Sequence, residues 1–152
     1  MSDAVTLIQQ DHRTLAALLD RMRDPAADRA TLVEDTVARA TAHLRAEEKV
    51  YPILAGTDPV EYGEVHRGVP ASGEVEERLR ILRAADPDDA EFDRALRELT
   101  MVFTRHVGEE EAELLLHAGR RIDPDTLSAA TAIFDARRRQ ELRVYGIDDT
   151  SG

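Results

Sequence analysis

Two stretches of the chain carry a histidine followed four residues later by a glutamate, His43 with Glu47 and His106 with Glu110, and a further histidine, His12, stands near the N-terminus. An offset of four places both side chains on one face of a helix, one turn apart. In each case that face is the apolar one: Val33, Val37 and Ala40 lead to His43, Leu96, Leu99 and Phe103 lead to His106, and His12 lies between Ile8 and Leu15. An ionised carboxylate in a core is costly without a partner, and imidazoles and carboxylates from several helices need a common one. A pair of metal ions would supply it. Mixed imidazole and carboxylate ligation suits iron, with manganese and zinc also compatible, and a glutamate whose two oxygens bridge two cations reduces the repulsion between them. The competing reading is a bundle in which the same groups pair with one another without metal.

Composition narrows the chemistry further. The 152 residues contain no cysteine, which removes thiolate nucleophiles and all cysteine-ligated metal sites, leaving His, Asp, Glu and Tyr as ligands. Thirty-one acidic against 20 basic residues give a net charge of −11, repelling nucleic acid and anionic membrane surfaces alike. No apolar run approaches a membrane span and the first residues lack the pattern of a signal peptide, so a cytoplasmic protein is expected.

The elements that must position these residues are helices, because apolar residues recur at helical spacing and β-branched alternation is missing. A first helix opens at Ser2 or Asp3 and stops before Asp24-Pro25; a second begins near Asp28 and ends between Tyr51-Pro52 and Gly56. From Thr57 to Gly73, prolines and glycines predict a long irregular connection. A third helix starts near Ser72 and stops at Asp86-Pro87, and a fourth runs from about Asp89 to Gly119. Asp123 followed by Pro124 announces a shorter fifth helix. The expected architecture is all-α, an antiparallel up-down-up-down four-helix bundle with a short fifth C-terminal helix, spanning 1–145 and followed by a polar tail, 146–152. The ferritin-like di-iron class does not apply, since its signature is Glu-x-x-His and no histidine here has glutamate three positions before it.

The stretches Leu7-Ile8-Gln9-Gln10-Asp11-His12, His43-Leu44-Arg45-Ala46-Glu47-Glu48-Lys49-Val50-Tyr51-Pro52 and His106-Val107-Gly108-Glu109-Glu110-Glu111 resemble the hemerythrin-like family, the HHE cation-binding domains. The likeness extends from about residue 3 to 137. It implies a non-haem di-iron centre, two irons joined by an oxo or hydroxo bridge, with His12, His43 and His106 as terminal ligands and Glu47 and Glu110 as bridges. It also implies binding of dioxygen or sensing of oxygen, iron, nitric oxide or redox state. The family places a Glu-His pair at the start of the third helix, where this chain has Ser72, so one terminal ligand is replaced. Three residues are candidates for the position: Glu76, one turn beyond Ser72; His66, which the glycines of the connection would have to fold back; and Tyr51, either as a phenolate ligand or as a hydrogen-bonding neighbour of the metal.

The remaining polar features read as surface. Glu48, Glu109, Glu111 and Glu113 are expected to be solvated, Arg137-Arg138-Arg139 to form a surface patch at a helix end, and His117 to sit outside the site. The methionines and phenylalanines read as ordinary core. The expected function is a di-iron protein binding dioxygen or a related small oxidant, with the missing ligand favouring sensing or peroxide and nitric oxide chemistry over reversible transport. The alternatives are a di-iron oxidase or peroxidase with its own substrate and a metal-free interaction module. A chain of this length is expected to have no fused output domain, so a sensor is expected to act through a separate protein partner or through dimerisation.

Overall fold

The computed structural model describes residues 3–54 and 69–148. Among them are five helices and no strand: α1 Ala4–Arg21, α2 Arg29–Leu54, α3 Val69–Ala84, α4 Ala90–Arg121 and α5 Pro124–Val144. The helix starts follow the local chemistry of the chain. Asp3 accepts from the Thr6 amide at 2.9 Å to cap α1, Asp28 accepts from Thr31 at 3.2 Å before α2, and Asp123 accepts from Thr126 at 2.9 Å before α5, with Pro124 in the first turn.

The third helix begins earlier than the sequence suggests. Residues 69–73, expected to be irregular, are the first turn of α3, where Pro70 lacks only an amide that no helical carbonyl would need. The rest of the expected connection, including His66, lies outside the described residues. At the other end of the chain the expected tail begins as a helix stop. Gly146 adopts φ 75° and donates to Arg143 O at 2.9 Å, while Ile147 donates to Leu142 O at 3.0 Å, closing α5 with a left-handed cap that a side chain would strain.

Side-chain pairs set the directions of the helices. Glu34 with Arg83 and Arg45 with Glu76 run α3 antiparallel to α2, and Arg78 with Glu98 and Glu74 with Arg105 run α4 antiparallel to α3. The fifth helix lies parallel to α1, because Ala4 with Thr131 and Asp11 with Arg138 share a sequence offset of 127. One end of the bundle is tied by Arg29, whose guanidinium donates to Met22 O at 2.8 Å, Pro87 O at 3.0 Å and Asp93 at 2.8 Å and lies 4.8 Å from the Phe92 ring centre.

The buried apolar residues form two clusters. The larger, with Leu15, Leu19, Leu44, Leu79, Leu99 and Phe103, unites α1 to α4. The smaller joins Ala4 and Ile8 of α1 and Val50, Tyr51 and Leu54 of α2 to Ala130 and Phe134 of α5. Buried polar side chains from α1, α2 and α4 accompany them: Asp11, His12, His43, Glu47, His106 and Glu110. Of the phenylalanines all three are buried, whereas Met101, expected in the core, is 71% exposed. No helix among the described residues is long and apolar enough to cross a membrane.

Candidate metal centre

The helical phase read from the sequence puts His12 on α1, His43 and Glu47 on α2, and His106 and Glu110 on α4 inward, and each is at most 6% exposed. Their ring nitrogens and carboxylate oxygens converge. His12 Nε2 lies 3.1 Å from Glu110 Oε1 and 3.8 Å from Glu47 Oε1; His43 Nε2 abuts Glu47 Oε1, and His106 Nε2 lies 2.9 Å from Glu110 Oε2. One ligand atom each from His12, His43, Glu47 and Glu110 fits within 4.8 Å of the others, the spacing of a cation's donor shell. His106 stands beside this group on the second oxygen of Glu110.

These atoms approach closely without making hydrogen bonds. Nε2 of all three histidines, Glu47 Oε1 and Glu110 Oε1 are buried and have no hydrogen-bond partner. Five orphaned donor atoms aimed at one another are expensive in a bundle stabilised only by its own contacts, and they are the set a metal would satisfy. The residues present therefore fit a metal centre.

The opposite edges of two rings are anchored. His43 Nδ1 lies 2.9 Å from Asp11 Oδ2, and His12 Nδ1 lies 3.0 Å from Glu111 Oε1. Asp11 is held in turn by Arg138, whose Nε–H donates to both carboxylate oxygens at 2.9 Å. Carboxylates on Nδ1 select the ring orientation that presents Nε2 inward. Aromatic neighbours complete the surround: Phe103 meets His12 edge-on at 6.3 Å between ring centres, and Phe134 meets His43 at 5.9 Å.

The charges of the cluster are strongly interdependent. Burial disfavours a charged His12, but Glu110 and Glu47 outweigh it and raise its pKa to about 9. Burial also disfavours charged His43 and His106, yet both are raised, His43 by Glu47 and Asp11 and His106 by Glu110. Burial would raise the Glu47 and Asp11 carboxyls, yet both are lowered, Glu47 by His43 and His12, Asp11 by His43 and Arg138. Without a metal, protons on the histidines balance the carboxylates; a cation would replace those protons.

A family model, the hemerythrin HHE cation-binding domain, matches residues 3–118. The chain belongs to that family. No curated protein and no solved structure matches it. The helices α1 to α4 of this hemerythrin-like domain carry the matched stretch up to residue 118, and α5 lies beyond it.

The other residues singled out in the sequence are distributed differently. Glu76 is half-buried and accepts from Arg45 at 2.8 Å, apart from the convergent group. Tyr51 is buried in the smaller apolar cluster, and His66 lies outside the described residues. Two expectations of surface residues are corrected. Glu111 is only partly exposed because it turns to His12, and Arg138 is drawn inward by Asp11. Arg138 carries its own sequence signal: Leu127, Thr131, Phe134, Arg138 and Leu142 share one face of α5, so the arginine interrupts an apolar stripe as the histidines do. Asp11 precedes a stripe histidine and is itself buried.

Proposed function

We propose that this hemerythrin-like protein holds two iron ions and binds dioxygen or a related small oxidant, such as peroxide or nitric oxide. The observation that carries the reading is the convergence of three unpartnered Nε2 atoms and two unpartnered glutamate oxygens, all buried. His12, His43 and His106 would serve as terminal ligands, and Glu47 and Glu110, each with one oxygen toward a histidine of its own helix, would be shared between the two ions. A bound iron pair supplies electron transfer to such an oxidant. The protein's part is to hold the imidazoles oriented, Nε2 inward, through Asp11 and Glu111, and to keep water from the site with Phe103 and Phe134.

The donor groups are unequal. Four residues bring a ligand atom into one close group, whereas among the described residues His106 is the one histidine left for a second ion, with the second oxygens of Glu110 and of a shared Glu47. Fewer protein donors leave more room for exogenous ligands, which favours sensing or removal of oxidants over reversible carriage. Elemental analysis of protein expressed with added iron, with an absorption spectrum of the same sample, tests the proposal. About two irons per chain and a near-ultraviolet bridge band are expected. Zero metal after reconstitution would leave a bundle that interacts without metal, and anaerobically loaded protein that survived repeated oxygenation unchanged would restore the carrier role.

A further inference from the structure

We propose that Arg138, on a helix beyond the family match, is a positioning residue of the metal centre that acts through Asp11 on His43. The inference rests on the metal-binding reading above and adds α5 to the site. The chain of contacts is continuous. His43 Nδ1–H donates to Asp11 Oδ2 at 2.9 Å, Arg138 Nε–H donates to Asp11 Oδ1 and Oδ2 at 2.9 Å, and Arg138 Nη2 lies 2.8 Å from Asp11 Oδ1.

Each contact removes a specific freedom. The imidazole can turn over, exchanging Nδ1 and Nε2, unless one nitrogen is anchored; Asp11 anchors Nδ1, which leaves Nε2 directed at Glu47. A lone aspartate carboxylate can itself turn about its last bond. The planar guanidinium, donating to both oxygens, prevents that, and a lysine ammonium would act only as a point charge. Arg138 and Asp11 side chains are 16% and 9% exposed, so solvent screens the pair little.

The register of α5 makes the arrangement specific. Ala4 with Thr131 and Asp11 with Arg138 keep the same offset of 127 along two parallel helices, and between them Phe134 packs edge-on against His43 at 5.9 Å. Thr131, Phe134 and Arg138 occupy one face of α5 at helical spacing. The same face that completes the smaller apolar cluster therefore delivers the arginine to Asp11.

The test uses the full chain loaded with zinc(II), a diamagnetic probe, as wild type and as Arg138→Met, Arg138→Lys and Thr131→Val. Two quantities are read: zinc affinity by chelator competition, and the His43 Nδ1–H resonance in proton–nitrogen spectra of the histidines. The expected result is a protected Nδ1–H in the wild type and, in Arg138→Met, its loss together with an affinity about 10- to 100-fold lower. Arg138→Lys recovers part of the affinity. Thr131→Val removes the neighbouring α1–α5 hydrogen bond without touching Asp11, and keeps the resonance and, within about threefold, the affinity.

Wild-type affinity and resonance in Arg138→Met would overturn the proposal, as would full restoration by lysine or an equal loss in Thr131→Val, which would assign the effect to docking of α5 in general. If Arg138→Met fails to fold, Arg138→Lys decides on the same two readouts. Wild-type protein that takes up neither zinc nor iron would overturn the metal reading and this proposal together, whereas uptake indifferent to residue 138 would overturn this one alone.

Discussion

His12 lies within reach of Glu110 and Glu47 through Nε2 and of Glu111 through Nδ1, so its protonation is coupled to whatever occupies the space between the glutamates. With its pKa raised from 6.5 to about 9, the protonated ring stabilises the metal-free protein fully below pH 6.5, and the contribution fades as pH rises through about 9. Melting temperatures of metal-free protein should fall over that interval. Metal affinity should run the other way, because the imidazole must lose its proton to bind, and the raised His43 and His106 act in the same sense. Zinc competition titrations between about pH 6.5 and about pH 8.5 measure this, and a flat profile would remove the histidines as ligands. The inward direction of His12, His43, Glu47, His106 and Glu110 was legible in the sequence because helical phase is a local property. The roles of Asp11 and Glu111 were not, since each occupies a position whose partner lies on another helix.

At the scale of the elements, ends and ties carry the predictions. Arg29 joins the end of α1 and the turn between α3 and α4 to the start of α4 through the carbonyls of Met22, Arg23 and Pro87 and through Asp93. Arg29→Ala leaves those acceptors short of donors, and should cost about 2 to 4 kcal/mol in denaturant unfolding without changing metal content. Gly146→Ala forces a Cβ into φ 75° and should cost about 1 kcal/mol in thermal unfolding, a loss centred on α5 that hydrogen exchange would localise. Boundaries set by caps, such as Asp3 and Asp123, were readable because side chain and amide are three residues apart. The start of α3 was not, because Pro70 and Gly73 read as breakers when the helix tolerates them in its first turn and at a position with open space around the glycine.

For the molecule as a whole, the site combines a four-helix core with a second cluster that only α5 completes. Phe134 is fully buried there and also borders His43. Phe134→Ala should therefore cost about 3 to 5 kcal/mol of stability and also speed metal loss to a chelator, whereas a cavity confined to the larger cluster, as in Leu99→Ala, should cost about 2 to 5 kcal/mol and leave release rates near wild type. The unequal donor groups predict stepwise loading. The first equivalent of zinc should go to His12, His43, Glu47 and Glu110, so that His106→Ala lowers the second affinity far more than the first in calorimetry. Equal effects on both steps would contradict that division.

The sequence by itself determined the five helices, the caps at Asp3 and Asp123 and the inward set of three histidines and two glutamates, because periodicity and capping depend on residues within a few turns of one another. It also carried the family membership, through motifs confined to single helices. Tertiary structure alone decided that Glu76 turns to Arg45, that Glu111 reaches His12, and that Arg138 crosses 127 positions to hold Asp11. Helical phase states which way a side chain leaves its own helix; which charge it meets is set by the register and direction of the helix packed against it.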